Sequence, residues 1–302
     1  MSAAPQIFDR QLLSRRRAQI AGTAPAHDFL LQRVAEDFAE RLSVVTRPFP
    51  YGVNLGAHHG LLSRHLRALP SVGAIIDCDS VEIPGAAPET FCIVADEEAL
   101  PFRDGSLDLV VSGLALQLVN DLPGTLLQIR RTLKPDGLML AALLGGETLK
   151  ELREAWLVAE DEVSGGASPR VAPFADVREL GGLLQRAGFA LPVADADVVH
   201  VTYATPLALM REIKAMGASN MLHARRRVPV SKGLLMRACE VYIDRFGLAG
   251  GRIPATFEII TLTGWSPHDS QQKPLQPGSA KVRLSDALGT VERLTGEKPG
   301  ER

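Results

Sequence analysis

Apolar residues recur along this chain with two different periods. Within residues 7 to 45, Phe29, Leu30, Val34, Phe38 and Leu42 return every three or four positions, the spacing of one face of a helix. Asp28 precedes them as a candidate N-cap, and Pro48 and Pro50 close the pattern, since proline supplies no amide hydrogen to a helix. From Tyr51 onward, short apolar runs take over: Tyr51 to Leu55, Val72 to Ile76, Phe91 to Ala95, Leu107 to Val111 and Leu138 to Leu144. Helix-like stretches such as Leu61 to Leu69 and Leu122 to Leu133 lie between them. Nearly continuous apolar strands alternating with helices indicate a parallel sheet covered on both faces, a doubly wound α/β core.

After Gly145 and Gly146, a helix is expected over Thr148 to Val163, then a Gly, Ser and Pro-rich linker, SGGASPRVAPF, of the kind that forms exposed loops or lids. A helix from Asp176 to Ala187 ends at Gly188, a residue suited to the left-handed C-cap. Val198 to Tyr203 and Thr256 to Thr263 read as strands, with helices Pro206 to Met216 and Ser231 to Phe246 between them. The two strands suit an antiparallel extension of the sheet, and the helices an insertion. The expected organisation is a helical N-terminal extension over 1–48, a core domain over 49–283 with an insertion at about 206–250, and a flexible tail over 284–302.

Composition removes function classes without choosing one. The 302 residues carry 33 Lys and Arg against 35 Asp and Glu, a net charge of −2, which argues against a globally basic nucleic-acid binder. Cys78, Cys92 and Cys239 are widely spaced, unlike a disulfide framework, and favour a reducing compartment, the cytoplasm by default. The longest apolar run, Leu138 to Gly146, is strand-sized, well short of the roughly 20 residues that span a bilayer. The N-terminus lacks the apolar centre of a secretory signal and reads as mature protein.

Candidate chemistry lies where the strands turn into helices. The first run continues as Val53-Asn54-Leu55-Gly56-Ala57-His58-His59-Gly60, a turn of the type at which nucleotide-like ligands meet the backbone. A tight turn with no ligand explains Gly56 and Gly60 equally well. The second run ends in Asp77-Cys78-Asp79, where a carboxylate can accept two hydrogen bonds from a ribose diol; a solvated loop aspartate is the plain alternative. The third leads to Asp96-Glu97-Glu98-Ala99-Leu100-Pro101-Phe102, with acids able to accept from an adenine amino group and Pro101 and Phe102 placed to wall a pocket.

ADEEALPF, DGSLDLVVSGLALQLVNDLP and LKPDGLMLAAL, in that order after the glycine turn, resemble the class I S-adenosylmethionine-dependent methyltransferases. FDRQLLSRRR, GGETLKELR, SPRVAPFADVRELGGLLQRAGF, MGASN and PATFEIITLTGW narrow the resemblance to the respiratory complex I assembly factor 5 family, over residues 7 to 283. The resemblance implies a Rossmann-like, mostly parallel seven-stranded sheet with a helical N-terminal extension and a helical insertion before the last strand. It implies S-adenosylmethionine as cofactor, with Gly56 and Gly60 in the first turn, Asp79 at the ribose and Asp96 with Glu97 at the adenine. It implies a complex I subunit as partner, hydroxylated on an arginine, with no nucleic acid, no membrane span and peripheral association with the inner membrane through complex I. The location would be bacterial cytoplasm or the matrix-side equivalent. Relatives nearer the biotin pathway methylate a carrier-bound malonyl carboxyl group.

The chain departs from that family's D-L-G-C-G-x-G turn, with Asn54 in place of the acid and His58 in place of the middle glycine. Gln117-Leu118 replaces the family's His-Trp, and no residue declares itself catalytic. His58, His59 and His65 do not assemble a metal site by spacing, since neighbouring side chains converge poorly on one ion and no acid completes the set. The tracts Arg15 to Arg17 and Arg225 to Arg227 suit either a solvated face or an acidic partner. Met210, Met216 and Met221 suit either core packing or an adaptable groove. Three readings stay open: an arginine hydroxylase of complex I assembly, a methyltransferase acting on a small or carrier-bound acid, and a non-catalytic assembly chaperone.

Overall fold

The computed structural model describes residues 6–83, 90–272, 279 and 282–291. It divides into two compact units, Met1–Pro267 and His268–Arg302. In the second, helix α9 (Leu284–Leu288) ends at Gly289, and residues 292–302 of the expected tail lie outside the described residues.

The first unit is built on seven strands: β1 (Phe49–Leu55), β2 (Val72–Asp79), β3 (Phe91–Val94), β4 (Leu107–Gly113), β5 (Leu133–Leu144), β6 (Ala190–Tyr203) and β7 (Ile253–Trp265). Their order is β3-β2-β1-β4-β5-β7-β6. β1 to β5 pair in parallel, whereas β7 runs antiparallel between β5 and β6. This is the mostly parallel, Rossmann-like sheet that the resemblance implies. The chain order reverses between β1 and β4, and ligands of such sheets bind in the crevice beyond the carboxyl ends at that point.

Side chains alternate across the sheet, as strand geometry requires. In β5, Leu138, Leu140 and Ala142 join one core, whereas Met139, Ala141 and Leu143 join the other. The first core is covered by α2 (Phe29–Ser43), α3 (Leu61–Leu66), α5 (Lys150–Ser164), α7 (Pro206–Ala215) and α8 (Lys232–Phe246). The second lies under α4 (Leu122–Thr132) and α6 (Val177–Arg186). α7 and α8 form the helical insertion between β6 and β7.

The helical pattern over 7–45 breaks into two helices, α1 (Arg10–Ile20) and α2, joined by a 3₁₀ turn at Ala24–His27. Pro25 fits such a turn but not a helix interior. Asp28 stands at the N-cap position of α2 without capping it through its side chain; its carboxylate instead lies 3.1 Å from His59 Nε2. The strand expected at Val198 begins earlier, at Ala190, as a long edge strand with an irregularity between Ala190 and Val193. Cys78 and Cys239 are buried, whereas Cys92, on the edge strand β3, is exposed. Met221 is buried, Met210 and Met216 pack against the first core, and Met216 and Met221 also line a cavity.

Phe38, fully buried on the sheet-facing side of α2, is a measure of this packing. Phe38→Ala is expected to lower stability by about 3–5 kcal/mol, the range for emptying an aromatic site in a core, as read by denaturant unfolding.

Candidate active site at the carboxyl edge of the sheet

β1, β2 and β4 end beside one another, so the turns that follow them share one cleft. At the end of β1, Gly56 and Gly60 both adopt left-handed backbone, with φ of 66° and 73°. A Cβ on Gly56 would stand 2.1 Å from Ala115 Cβ, so this glycine is required both by conformation and by the close approach of the chain after β4. His58 also has a positive φ, 55°, and therefore occupies backbone that favours the glycine it replaces. Leu114, across the cleft, shares this feature with φ of 52°. Strained backbone of this kind is concentrated at functional sites.

The His58 imidazole is held inside the protein. Its Nε2 lies 3.0 Å from the Gly113 carbonyl oxygen, which can only accept, so Nε2 carries the proton and Nδ1 is the basic nitrogen. Its backbone N–H donates to Asp79 Oδ2 at 2.9 Å. Burial, reinforced by the positive charge of Arg17 and opposed by Asp79 and the Gly113 bond, pulls its pKa down to about 4.

Asn54 is explained by its neighbour. Its Nδ2 donates to Asp77 Oδ1 and to Ser63 Oγ, each at 3.0 Å, inside a pocket where Asp77 is almost fully buried. A carboxylate at position 54 would face that of Asp77 as a like charge, whereas an amide donates to it. Arg67 lies 3.3 Å from the other Asp77 oxygen.

The three acids assigned to a nucleoside are brought together, and the N-terminal helix reaches them. Asp79 and Glu97 have fully buried side chains. Arg17 Nη1 stands 3.0 Å from Asp79 Oδ1 and 3.1 Å from Glu97 Oε1. Arg10 Nη2 stands 2.8 Å from Asp96 Oδ1 and also contacts Glu97 Oε2. Burial lowers the pKa of Arg17, but Asp79 and Glu97 outweigh it and leave it raised. Burial likewise raises Asp79, while Arg17 and the His58 N–H bring it below the usual carboxylate range. Glu98, the next acid, accepts backbone N–H groups of Asn120 and Asp121 and so fastens two loops. Phe102 packs against the second core and Pro101 is exposed, so they do not wall this cleft.

In this arrangement the residues do not fit S-adenosylmethionine. The carboxylates that would take its ribose and adenine are paired with Arg17 and Arg10, and the His58 ring contacts Gly113 beside the first turn. The arginine tract, read from sequence as a solvated face or a partner surface, instead points largely inward: Arg17 is buried, and Arg16 donates to the carbonyls of Ser219 and Asn220 at 2.7 and 2.9 Å. The three histidines go separate ways, His58 to Gly113, His59 to Asp28 and His65 to Leu61 and Gln32. No group of three metal-ligating side chains occurs among the described residues.

A mostly apolar cavity of about 140 Å³ adjoins this cluster, lined by Leu13, Leu31, His58, Leu114, Gln117 and Met221 among others, with Arg17 in its wall. Met216 and Met221, two of the methionines read as suited to an adaptable groove, line it; its other walls come from α1, α2 and both strand-end turns, which no local pattern brings together.

The methyltransferase domain family matches residues 53–141. Across 97% of its length the chain is 37% identical to the "Arginine-hydroxylase NDUFAF5, mitochondrial" of Danio rerio, covering 92% of that protein. The chain belongs to the NDUFAF5 family. The human NDUFAF5 is 37% identical over 98% of the chain and 86% of its own length. The malonyl-[acyl-carrier protein] O-methyltransferase of Halorhodospira halophila is 34% identical over 91% of the chain and 95% of its own length. Among solved structures, the YcgJ protein of Bacillus subtilis superposes with a TM-score of 0.54 at 15% identity, covering 78% of this chain and 99% of its own, which shows a shared fold.

The motifs that carried the resemblance to the NDUFAF5 family converge on α1. The Met216–Asn220 segment receives Arg16, and Asn220 Nδ2 also donates to the Pro169 carbonyl of the linker at 2.7 Å. Asp9, which caps α1 through the Leu12 N–H, pairs with Arg225 at 3.0 Å. The Phe8 N–H donates to Asn120 Oδ1 at 2.8 Å. In this NDUFAF5-family member, therefore, the N-terminal extension, the linker and the insertion jointly hold α1 over the cleft.

Two outcomes follow for the first turn. Gly56→Ala is expected to lose at least about 2 kcal/mol of stability through the contact with Ala115 and the left-handed backbone, as measured by denaturant unfolding. His58 is neutral in the folded chain down to about 4, while the unfolded histidine protonates near 6.5. Below 6.5 the unfolded chain therefore binds a proton that the folded chain refuses, and stability falls with pH until about 4. The His58 share of that fall is about 3 kcal/mol. Unfolding measured at about pH 7 and about pH 4.5 should show a smaller pH-dependent loss for His58→Gln than for the unaltered chain.

Proposed function

We propose that this protein modifies an arginine side chain of a respiratory complex I subunit during assembly, by hydroxylation. The supporting observation is that identity to the arginine hydroxylases is 37% over 97% of the chain, against 34% over 91% for the malonyl-[acyl-carrier protein] O-methyltransferase. The shared length takes in α1, the linker and the insertion, the parts that close the cleft. Hydroxylation replaces a C–H bond by C–OH. With dioxygen as oxidant, the second oxygen atom leaves as water, and an external donor supplies two electrons and two protons.

In this reading the chain's own residues bind and shield. The cavity beside Arg17 offers dry apolar walls, Asp79 and Glu97 offer fixed negative charge, and the neutral His58 offers a basic nitrogen at Nδ1 within the protein. The subunit would be met on the cytoplasmic side or its matrix-side equivalent, as the mitochondrial arginine hydroxylases among the relatives suggest. Mass spectrometry of complex I from a strain lacking the protein tests this. One arginine-containing peptide should lose a one-oxygen mass increment and regain it on complementation. An identical modification pattern with and without the protein removes the reading.

A second reading, methyl transfer to a carrier-bound carboxyl group, is favoured by the 34% identity to the malonyl-[acyl-carrier protein] O-methyltransferase. It requires S-adenosylmethionine to enter a cleft that Arg17 and Arg10 now fill. Calorimetry of the unaltered chain with S-adenosylmethionine tests this second reading, because methyl transfer requires saturable binding and none at millimolar concentration removes it.

A further inference from the structure

Two buried carboxylates are costly to keep charged, and they persist where a cation and further hydrogen bonds compensate them. Here the cation is a guanidinium. Arg17 has only 8% of its side chain exposed, yet it meets Asp79 and Glu97 through the single nitrogen Nη1. Its Nη2 is buried without a hydrogen-bond partner among the described residues. A guanidinium can present two parallel N–H groups to a carboxylate, so Arg17 holds the acids without using the fork that makes arginine the best partner for them. The seat suits a guanidinium, but Arg17 satisfies it incompletely.

The surroundings suit the rest of an arginine side chain. Leu13, Leu31, Leu114 and Met221 line the cavity that Arg17 borders, and an arginine's methylene stem packs readily on apolar walls. Charge discriminates between occupants. If Arg17 leaves and a neutral ribose diol replaces it, Asp79 and Glu97 lose their shared cation, with only Arg10 still bound to Glu97. If another guanidinium replaces it, the charge balance is conserved. Arg17 also sits on α1, whose anchors to Asn120, Asp9–Arg225 and Ser219–Asn220 lie at the rim.

We propose that the Asp79–Glu97 pair is the recognition site for the guanidinium of the substrate arginine, and that Arg17 occupies it as an internal stand-in displaced when the substrate enters. The inference rests on the arginine-modifying reading above and assigns the residues that select the side chain. The site is specific for a planar cation, and α1 is the element that opens it.

Calorimetry of the full chain with Nα-acetyl-L-arginine amide tests this, with the citrulline analogue and S-adenosylmethionine as the other titrants. Removing an internal competitor lifts the cost of displacing it, so Arg17→Ala is expected to bind the arginine probe about tenfold or more tightly than the unaltered chain. The citrulline analogue, isosteric but uncharged, should gain nothing, and adding Glu97→Gln to Arg17→Ala should abolish the gain. Equal binding of arginine and citrulline probes, or a gain confined to S-adenosylmethionine, overturns the proposal. Should Arg17→Ala not fold, hydrogen exchange on the unaltered chain decides: saturating arginine probe should speed exchange of α1 amides, and unchanged exchange overturns it. The two claims fail separately. Probe binding with no change in complex I modification removes the function and keeps the site, whereas lost modification without probe binding does the reverse.

Discussion

The ion cluster of Arg17 with Asp79 and Glu97 is the interaction on which the arrangement of the cleft depends. It joins an N-terminal helix to the ends of two strands more than sixty residues away. Because all three side chains are buried, solvent screens them little, and removing Arg17 leaves the Asp79 carboxylate without its cation. α1 is polar along most of its length, with Leu13 as its one deeply buried apolar residue, so charge rather than apolar burial fixes where it lies. Burial keeps the His58 ring neutral, and the same cluster acts on it in both directions, Arg17 adding to that effect and Asp79 opposing it.

The elements added to the parallel core serve this closure. β7 and β6 extend the sheet antiparallel, and the insertion between them returns Met216–Arg225 to the N-terminal helix. There it pairs with Phe8 through Leu222 as an isolated bridge, receives Arg16, and supplies Met221 to the cavity wall. The linker after α5 joins through Pro169 and Asn220. Its Arg170 is itself secured by Glu160 and by stacking over Trp156, 5.0 Å from the ring centre. The cleft at the switch point of the sheet is thereby enclosed by the N-terminal helix, the linker and the insertion.

Much of this was legible in the residues. Short, nearly continuous apolar runs and helices with a period of three to four located the sheet and most of its helices, and Gly56 and Gly60 marked the turn that the left-handed backbone requires. Asp79, Asp96 and Glu97 were correctly singled out as neighbours along one edge, because strands that run parallel bring their carboxyl ends together. Their occupants were not legible. Arg10 and Arg17 lie about two turns apart on a helix whose position no local pattern sets, and the net charge of −2 conceals that a buried arginine and buried acids meet. Asn54 looked like a lost cofactor contact until Asp77 appeared beside it.

The sequence by itself determined the order and kind of the elements, the family, and the edge of the sheet where chemistry gathers, because these follow from periodicity and from residues close together in the chain. Only the tertiary structure decided what fills that edge. Hydrogen bonds and ion pairs depend on distances of about 3 Å between groups far apart in sequence, and these are set by packing. The acids that suited a nucleoside on paper hold a guanidinium in the folded chain because α1, fastened at both its start and its middle, delivers one to them.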